Sequence, residues 1–141
     1  MKIVNGLNLC IRQKSPATLV FIDLNKFKQI NDTFGHAEGD SVLKTFADLI
    51  SNKCRESDLF ARLGGDEFVI LFINTSTSAA KDTIIRLQQS LNEHKQKANN
   101  NYDISFSYGM VDFEPDKHKT IEALLEDGDS QMYKHKHKNK K

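Results

Sequence analysis

The sequence predicts a mixed α/β fold of the α+β type: a central, mostly antiparallel sheet with helices packed around it. Three observations predict it. The apolar runs over residues 18–24 and 68–73 have the length and continuity of strands buried on both faces. The segments between them carry apolar residues three and four apart, the period of an amphipathic helix. Arg62-Leu63-Gly64-Gly65-Asp66-Glu67-Phe68 joins two strand-like runs through a pair of glycines, the chemistry of a hairpin turn. The resulting order, β-α-α-β-β-α-β-α, places antiparallel pairing at the centre of the sheet.

Composition sets the outer bounds. A chain of 141 residues with 38% hydrophobic and 28% charged residues predicts one domain with its own core. A formal net charge of +1 predicts no generic attraction to nucleic acid or an anionic membrane. No apolar run is long enough to span a bilayer, and the first eight residues are too polar for a signal peptide. Cys10 and Cys54 have no metal-like spacing, so reduced thiols in a cytoplasm are expected.

Taken in order, residues 1–14 suggest a short helix through Leu7, Leu9 and Ile11, punctuated by Ser15-Pro16. The run 18–24 is a buried strand with one acid, Asp23, near its end. That acid reads either as a turn or cap residue at the strand's exit or as a metal ligand at the sheet edge. Phe27, Ile30 and Phe34 mark a helix over 26–34 that Gly35 stops. Gly39-Asp40-Ser41 then opens a second helix with Asp40 or Ser41 as N-cap, its apolar face Val42, Leu43, Phe46, Leu49 and Ile50. After the hairpin, residues 75–78 lead into a long helix from Ala79 to about Lys97, with Ala80, Ile84, Ile85, Leu87 and Leu91 inward. Asn99-Asn100-Asn101 breaks it, and the alternation over 102–111 predicts a half-buried strand. Glu114-Pro115-Asp116 is a turn before a last helix, Thr120 to about Tyr133, with Ile121, Leu124 and Leu125 inward. Residues 134–141 read as a basic, frayed tail.

If the strand ending near Asp23 neighbours the hairpin, Asp23, Asp66 and Glu67 converge at one end of the sheet. Adjacent carboxylates repel unless a cation joins them. Oxygen-only clusters suit Mg²⁺, which favours carboxylates together with substrate phosphates. The pattern points to two-metal phosphoryl or nucleotidyl transfer.

These residues carry a resemblance. Phe21-Ile22-Asp23-Leu24-Asn25-Lys26-Phe27-Lys28, Ile30-Asn31-Asp32-Thr33-Phe34-Gly35-His36, Gly39-Asp40, the hairpin from Arg62 to Phe68, and Ser105-Phe106-Ser107-Tyr108-Gly109 follow one another in the order of the GGDEF domain of bacterial diguanylate cyclases. The chain resembles that family from about Thr18 to Tyr133. The resemblance implies a fold similar to the palm of nucleotide cyclases and polymerases. It implies condensation of two GTP into cyclic di-GMP and two pyrophosphates, by a transient homodimer in a bacterial cytoplasm. It implies two Mg²⁺ (or Mn²⁺) ions per active site, held by Asp23, the Leu24 carbonyl, Asp66 and Glu67, with Asp66 and Glu67 catalytic. It assigns guanine reading to Asn31 and Asp40, and phosphate or substrate contacts to Lys26, Phe27, Lys28, His36 and Lys136. For Asp40 a plain capping role, and for Lys28 a solvated helix face, remain open beside these.

Arg55-Glu56-Ser57-Asp58 stands five residues before Gly64, the family's spacing for an inhibitory product site, where arginine and carboxylate read two edges of guanine; a helix-terminal arginine followed by a strand-opening aspartate remains open beside it. Arg86 falls where the family often adds a second arginine. The chain departs from the family at both ends. Residues 1–14 are trimmed or divergent, with only Gly6-Leu7-Asn8 hinting at the usual opening. The close reads Lys136-His137-Lys138-Asn139-Lys140, with lysine for the usual arginine, and the usual final strand is absent. Two readings follow: an active cyclase fused in its full-length form to a sensory domain, or a silent module that binds GTP or cyclic di-GMP and signals through a partner. The intact Asp23, Asp66 and Glu67 favour the first.

Overall fold

The computed structural model describes residues 2–98 and 102–138. Helix α1 (Lys2–Gln13) leads into strand β1 (Ala17–Leu24), then α2 (Phe27–Phe34) and α3 (His36–Lys53). The hairpin β2 (Leu59–Gly64) and β3 (Glu67–Ile73) follows, then α4 (Thr77–Ala98), β4 (Phe106–Asp112) and α5 (Ile121–Lys138). The sheet order is β2-β3-β1-β4, and every neighbouring pair is antiparallel.

The continuous apolar runs become the two central strands for a simple reason: both of their faces are covered. Val20, Ile22 and Leu24 of β1, with Phe68, Ile70 and Phe72 of β3, pack under α2, α3 and α4. Ala17, Leu19 and Phe21, with Val69 and Leu71, pack under α1 and α5. Alternation along a strand divides the core between the two faces. Phe46 of α3 meets Phe68 edge-on at a centroid distance of 5.1 Å, anchoring the helical layer to β3. The hairpin turn needs Gly65, whose φ of 50° lies in the left-handed region. Arg62 Nε steadies it by donating to the Gly65 carbonyl at 2.9 Å.

Several expectations change. The second helix opens at His36 rather than Gly39, because a single residue, Gly35, separates α2 from α3. Asp40 is therefore inside the helix, and neither it nor Ser41 caps it. In α1 the buried side chains are Ile3, Leu7 and Cys10, whereas Leu9 and Ile11 face water. In α4 the buried stripe runs Ala80, Ile84, Leu87, Leu91, and Ile85, one residue round the helix from it, is exposed. Strand β4 begins at Phe106, because Ser105 instead accepts the Asn25 backbone N–H. The expected frayed tail is helical through Lys138, continuing α5. The break at Asn99-Asn100-Asn101 and the substitution at Lys140 lie outside the described residues. Both cysteines are free, and no helix among the described residues is long and apolar enough to cross a membrane.

Candidate active site

Asp23 is neither a turn nor a cap residue. It lies within β1, opposite Glu67 on β3 and Ser107 on β4. Its place in the alternation, two after Phe21, directs it to the face covered by α5. Asp66 occupies the turn beside it, and the Leu24 N–H donates to the Asp66 carbonyl at 3.1 Å. All three acids thus collect at one end of the sheet. Burial, then the neighbouring Asp23, push the Asp66 carboxyl up to about 6. Glu67 is raised by burial, then by the charges of Asp23 and Asp129. Asp23 Oδ1 is buried and accepts no hydrogen bond from the protein. A bond between Asp23 and Asp66 forms only when one carries a proton, the state that the raised pKa favours.

Helix α5 completes this end. Leu124, Gly128, Met132 and Lys136 recur every fourth residue and form the face turned to the sheet. Close approach is possible because Gly109 on β4 has no side chain: a Cβ there would overlap the Met132 nitrogen and the Gly128 carbonyl oxygen. At the end of the stripe, Lys136 Nζ meets Asp23 Oδ2 at 3.1 Å. Basic residues in this last turn also complement the helix dipole. His135 packs on Tyr108 at 4.5 Å, and its Nδ1 accepts the Tyr108 N–H.

Asn25, just past β1, is clamped to β4. Its N–H donates to the Ser105 carbonyl at 2.8 Å and its Nδ2 to Ser105 Oγ at 3.1 Å. Ser107 Oγ donates to Asn25 Oδ1 at 2.9 Å. Lys26 follows with φ 58° and turns the chain into α2, so the amides of Lys26 and Phe27 stand at the helix start. Lys28 is exposed. Asn31 packs on Gly39 so closely that a Cβ at Gly39 would overlap Asn31 Oδ1, an atom that is buried without a partner. Asp40, one residue on, and His36, at the start of α3, are exposed. The structure thus places Asn31 beside the part of α3 that carries Asp40. A 370 Å³ cleft lined by Lys26, Gln29, Thr33 and Phe34 flanks α2. Its edge is set by Tyr102, whose ring lies tilted against Phe34 and whose hydroxyl donates to the Glu38 carboxylate.

Arg55 and Asp58 lie at the other end of the sheet. Arg55 Nη2 donates to the Ile73 carbonyl at 2.7 Å and to Thr75 Oγ1 at 2.5 Å, and Ile73 pairs with Ala17. Six residues of β1 separate Ala17 from Asp23, or roughly 20 Å. Arg55 also pairs with Asp58, which accepts its Nη2 at 3.3 Å and its backbone N–H at 2.9 Å. The two are brought together, but onto each other. Arg86 bonds to Thr83 on its own helix instead.

The acidic end fits a divalent cation in part. Among the described residues no three His, Cys, Asp or Glu side chains form a metal cluster on their own. The convergence expected from the sequence therefore does not amount to a complete protein cage. The unpartnered Asp23 oxygen and the mutual repulsion that raises Asp66 are nonetheless what an oxygen-seeking cation relieves. Mg²⁺ commonly takes one or two carboxylates, with water and substrate phosphate supplying the rest. Two residues near the site escape the sequence reading. Asp129 follows Gly128 of the α5 stripe, and its nearness to Glu67 shows only once α5 is laid against the sheet. Asn25 stands in the quoted motif without a role until its partners, 80 and 82 positions away, are known.

Known proteins resemble this chain in sequence and in fold. The family model described as diguanylate cyclase, GGDEF domain, matches residues 2–141. Diguanylate cyclase A of Treponema denticola is 34% identical over 137 residues, covering 96% of this chain and 37% of the relative. Diguanylate cyclase DosC of Escherichia coli K12 is 34% identical over 122 residues, covering 86% and 26%. The chain thus spans about a quarter to a third of the curated relatives it matches. The active GGEEF domain of a diguanylate cyclase from Vibrio cholerae superposes with a TM-score of 0.84 at 29% identity, covering 96% of this chain and 85% of that one. By sequence along nearly its whole length and by fold, the chain belongs to the diguanylate cyclase GGDEF-domain family.

Proposed function

We propose that this domain condenses two GTP into cyclic di-GMP, releasing two pyrophosphates. The observation that carries the reading is the approach of Asp66 to Asp23, itself opposite Glu67, at a partly buried sheet end faced by Lys136 and flanked by the start of α2. In each half-reaction the 3′-oxygen of one GTP attacks the α-phosphorus of the other. The new ester bond forms as the bond to the β-phosphate bridging oxygen breaks, and pyrophosphate leaves with that electron pair.

Asp66 takes the hydroxyl proton. Raised to about 6 by burial and Asp23, its carboxyl is still ionised at neutral pH without metal, and a bound cation would keep it so. Asn31 and Asp40 bind the guanine, the carboxylate accepting from N1–H and N2–H₂, which adenine lacks. The amides opening α2, with Lys28 and His36, bind phosphate oxygens, and Lys136 neutralises the leaving pyrophosphate. Asp23, Asp66 and the Leu24 carbonyl would hold Mg²⁺ or Mn²⁺, with Glu67 beside them. When bound, such ions lower the hydroxyl pKa and offset charge on the phosphate. Arg55 and Asp58, with Arg86, form a product-feedback site once their mutual ion pair opens.

Incubation with GTP and Mg²⁺, followed by nucleotide separation, should yield cyclic di-GMP, and Asp66→Ala should abolish it while the melting curve survives. Product from the variant at the parent's rate would sink the assignment of Asp66. Arg55→Ala should weaken cyclic di-GMP binding in calorimetry at least tenfold and leave the initial rate unchanged, because Arg55 sits at the far end of the sheet. Equal affinity would make the Arg55–Asp58 pair a purely structural clamp.

A further inference from the structure

Lys136 does more in this structure than wait for phosphate. Its ammonium lies 3.1 Å from Asp23 Oδ2, on a carboxylate that is 15% exposed, while the lysine side chain itself is 37% exposed. We propose that Lys136 is a built-in counter-ion of Asp23 that excludes metal from the site until nucleotide arrives, and then passes to the triphosphate. The proposal rests on the nucleotide-transfer reading above and adds a regulation to it.

The physical argument has three steps. Asp23 has two oxygens, of which one is held by the ammonium and the other is buried without a partner. A dication drawn to the free oxygen meets a like charge on the far side of the same carboxylate. For charges about 5 Å apart, even water-like screening makes that repulsion worth about tenfold in affinity. The second step is mobility. Gly128 and Met132 are packed against the sheet through Gly109, so α5 itself is held, but beyond them the lysine ends in a flexible four-carbon stem carrying a point charge. The ammonium can therefore turn without the helix moving. The third step is linkage. A triphosphate brings the anions that draw the ammonium away and oxygens for the metal at once. Metal and nucleotide then favour each other's binding, and each alone binds weakly. An acidic end left open would instead collect divalent ions with no substrate present.

The test uses the full chain and Mn²⁺, read by the loss of its free-ion electron paramagnetic resonance signal. Without nucleotide, Lys136→Met should bind Mn²⁺ about tenfold more tightly than the parent, and Lys136→Arg, which keeps the charge, should stay close to the parent. With a non-hydrolysable GTP analogue and Mn²⁺ present, Lys136→Met should bind the analogue more weakly. Damage to packing lowers both affinities, so the opposite signs separate a counter-ion from a structural lysine. Mn²⁺ affinity that is equal or lower in Lys136→Met overturns the proposal. If the parent binds the Mn²⁺–analogue pair and the variant fails that comparison, the counter-ion idea alone falls. If neither protein binds Mn²⁺ with or without the analogue, the reading of the site falls with it. Asp23→Asn should remove the nucleotide-free Mn²⁺ binding of Lys136→Met, and a tight site that survives it would place the metal elsewhere and overturn the proposal.

Discussion

Asp66 sits partly out of water beside Asp23, and its carboxyl titrates near 6 in the folded chain. An unfolded aspartate titrates near 3.9. Between roughly pH 4 and 6 the folded state therefore keeps a proton that the unfolded chain has released, so stability falls as pH rises through that window. The stabilising contribution is whole below about 4 and gone above about 6. Asp66→Asn, which cannot ionise, should accordingly melt higher than the parent at pH 7.5 in EDTA, by a modest margin because the group is partly exposed. The two should converge near pH 3.5. Scanning calorimetry across that range checks it, and a difference that does not vary with pH would mean that burial and Asp23 do not raise the Asp66 carboxyl. At this scale much was legible. Asp23, Asp66 and Glu67 stood out because carboxylates beside apolar runs are costly without a use. Asp129 and Asn25 did not, because their neighbours come from distant parts of the chain, and polar residues on a helix or in a turn look ordinary in sequence.

Elements obey the same division between local and distant causes. Strands β1 and β3 were readable because a strand covered on both faces is apolar throughout. The start of α3 was misplaced because Gly39 resembles a helix opener. Its small size serves Asn31 instead, a contact between two helices that no local pattern reports. The last turn of α5 resembled a solvated tail, since its basic composition hides that Lys136 continues a buried stripe and finds Asp23. Gly109 is the residue on which this arrangement turns. A methyl group there meets backbone atoms of α5, which cannot rotate aside. Gly109→Ala should therefore cost about 1–3 kcal/mol by overpacking and lower the melting temperature by roughly 3–10 °C. The lifted helix should also separate Lys136 from Asp23. An unchanged melt would mean that α5 can slide on the sheet at little cost, and that the close approach at Gly109 does not set the position of Lys136.

At the scale of the whole molecule, the proposed reaction makes a demand that one domain does not meet. The product contains two phosphodiester bonds between two nucleotides, and each 3′-oxygen must reach the other's α-phosphorus in line. The chain offers one acidic sheet end with one helix start, that of α2, proposed to bind phosphate. Two copies related by a two-fold axis, facing site to site, meet both demands with a single geometry. The faces that must meet are acidic, and each carries a triphosphate, so their repulsion is offset only by bound cations and by lysines such as Lys28 and Lys136. Association through these faces should be weak. Specific activity should then rise in proportion to enzyme concentration while the monomer dominates, and level off once pairs form. A parallel coiled coil fused before Met1 should raise activity at high dilution, because it turns a bimolecular encounter into one governed by effective concentration. The same fusion should do nothing for the melting temperature of the domain itself, which separates enforced pairing from mere stabilisation. Measurement of rate against concentration, with sedimentation on the same samples, decides the matter: a flat specific activity in a protein that stays monomeric throughout would rule out the paired mechanism.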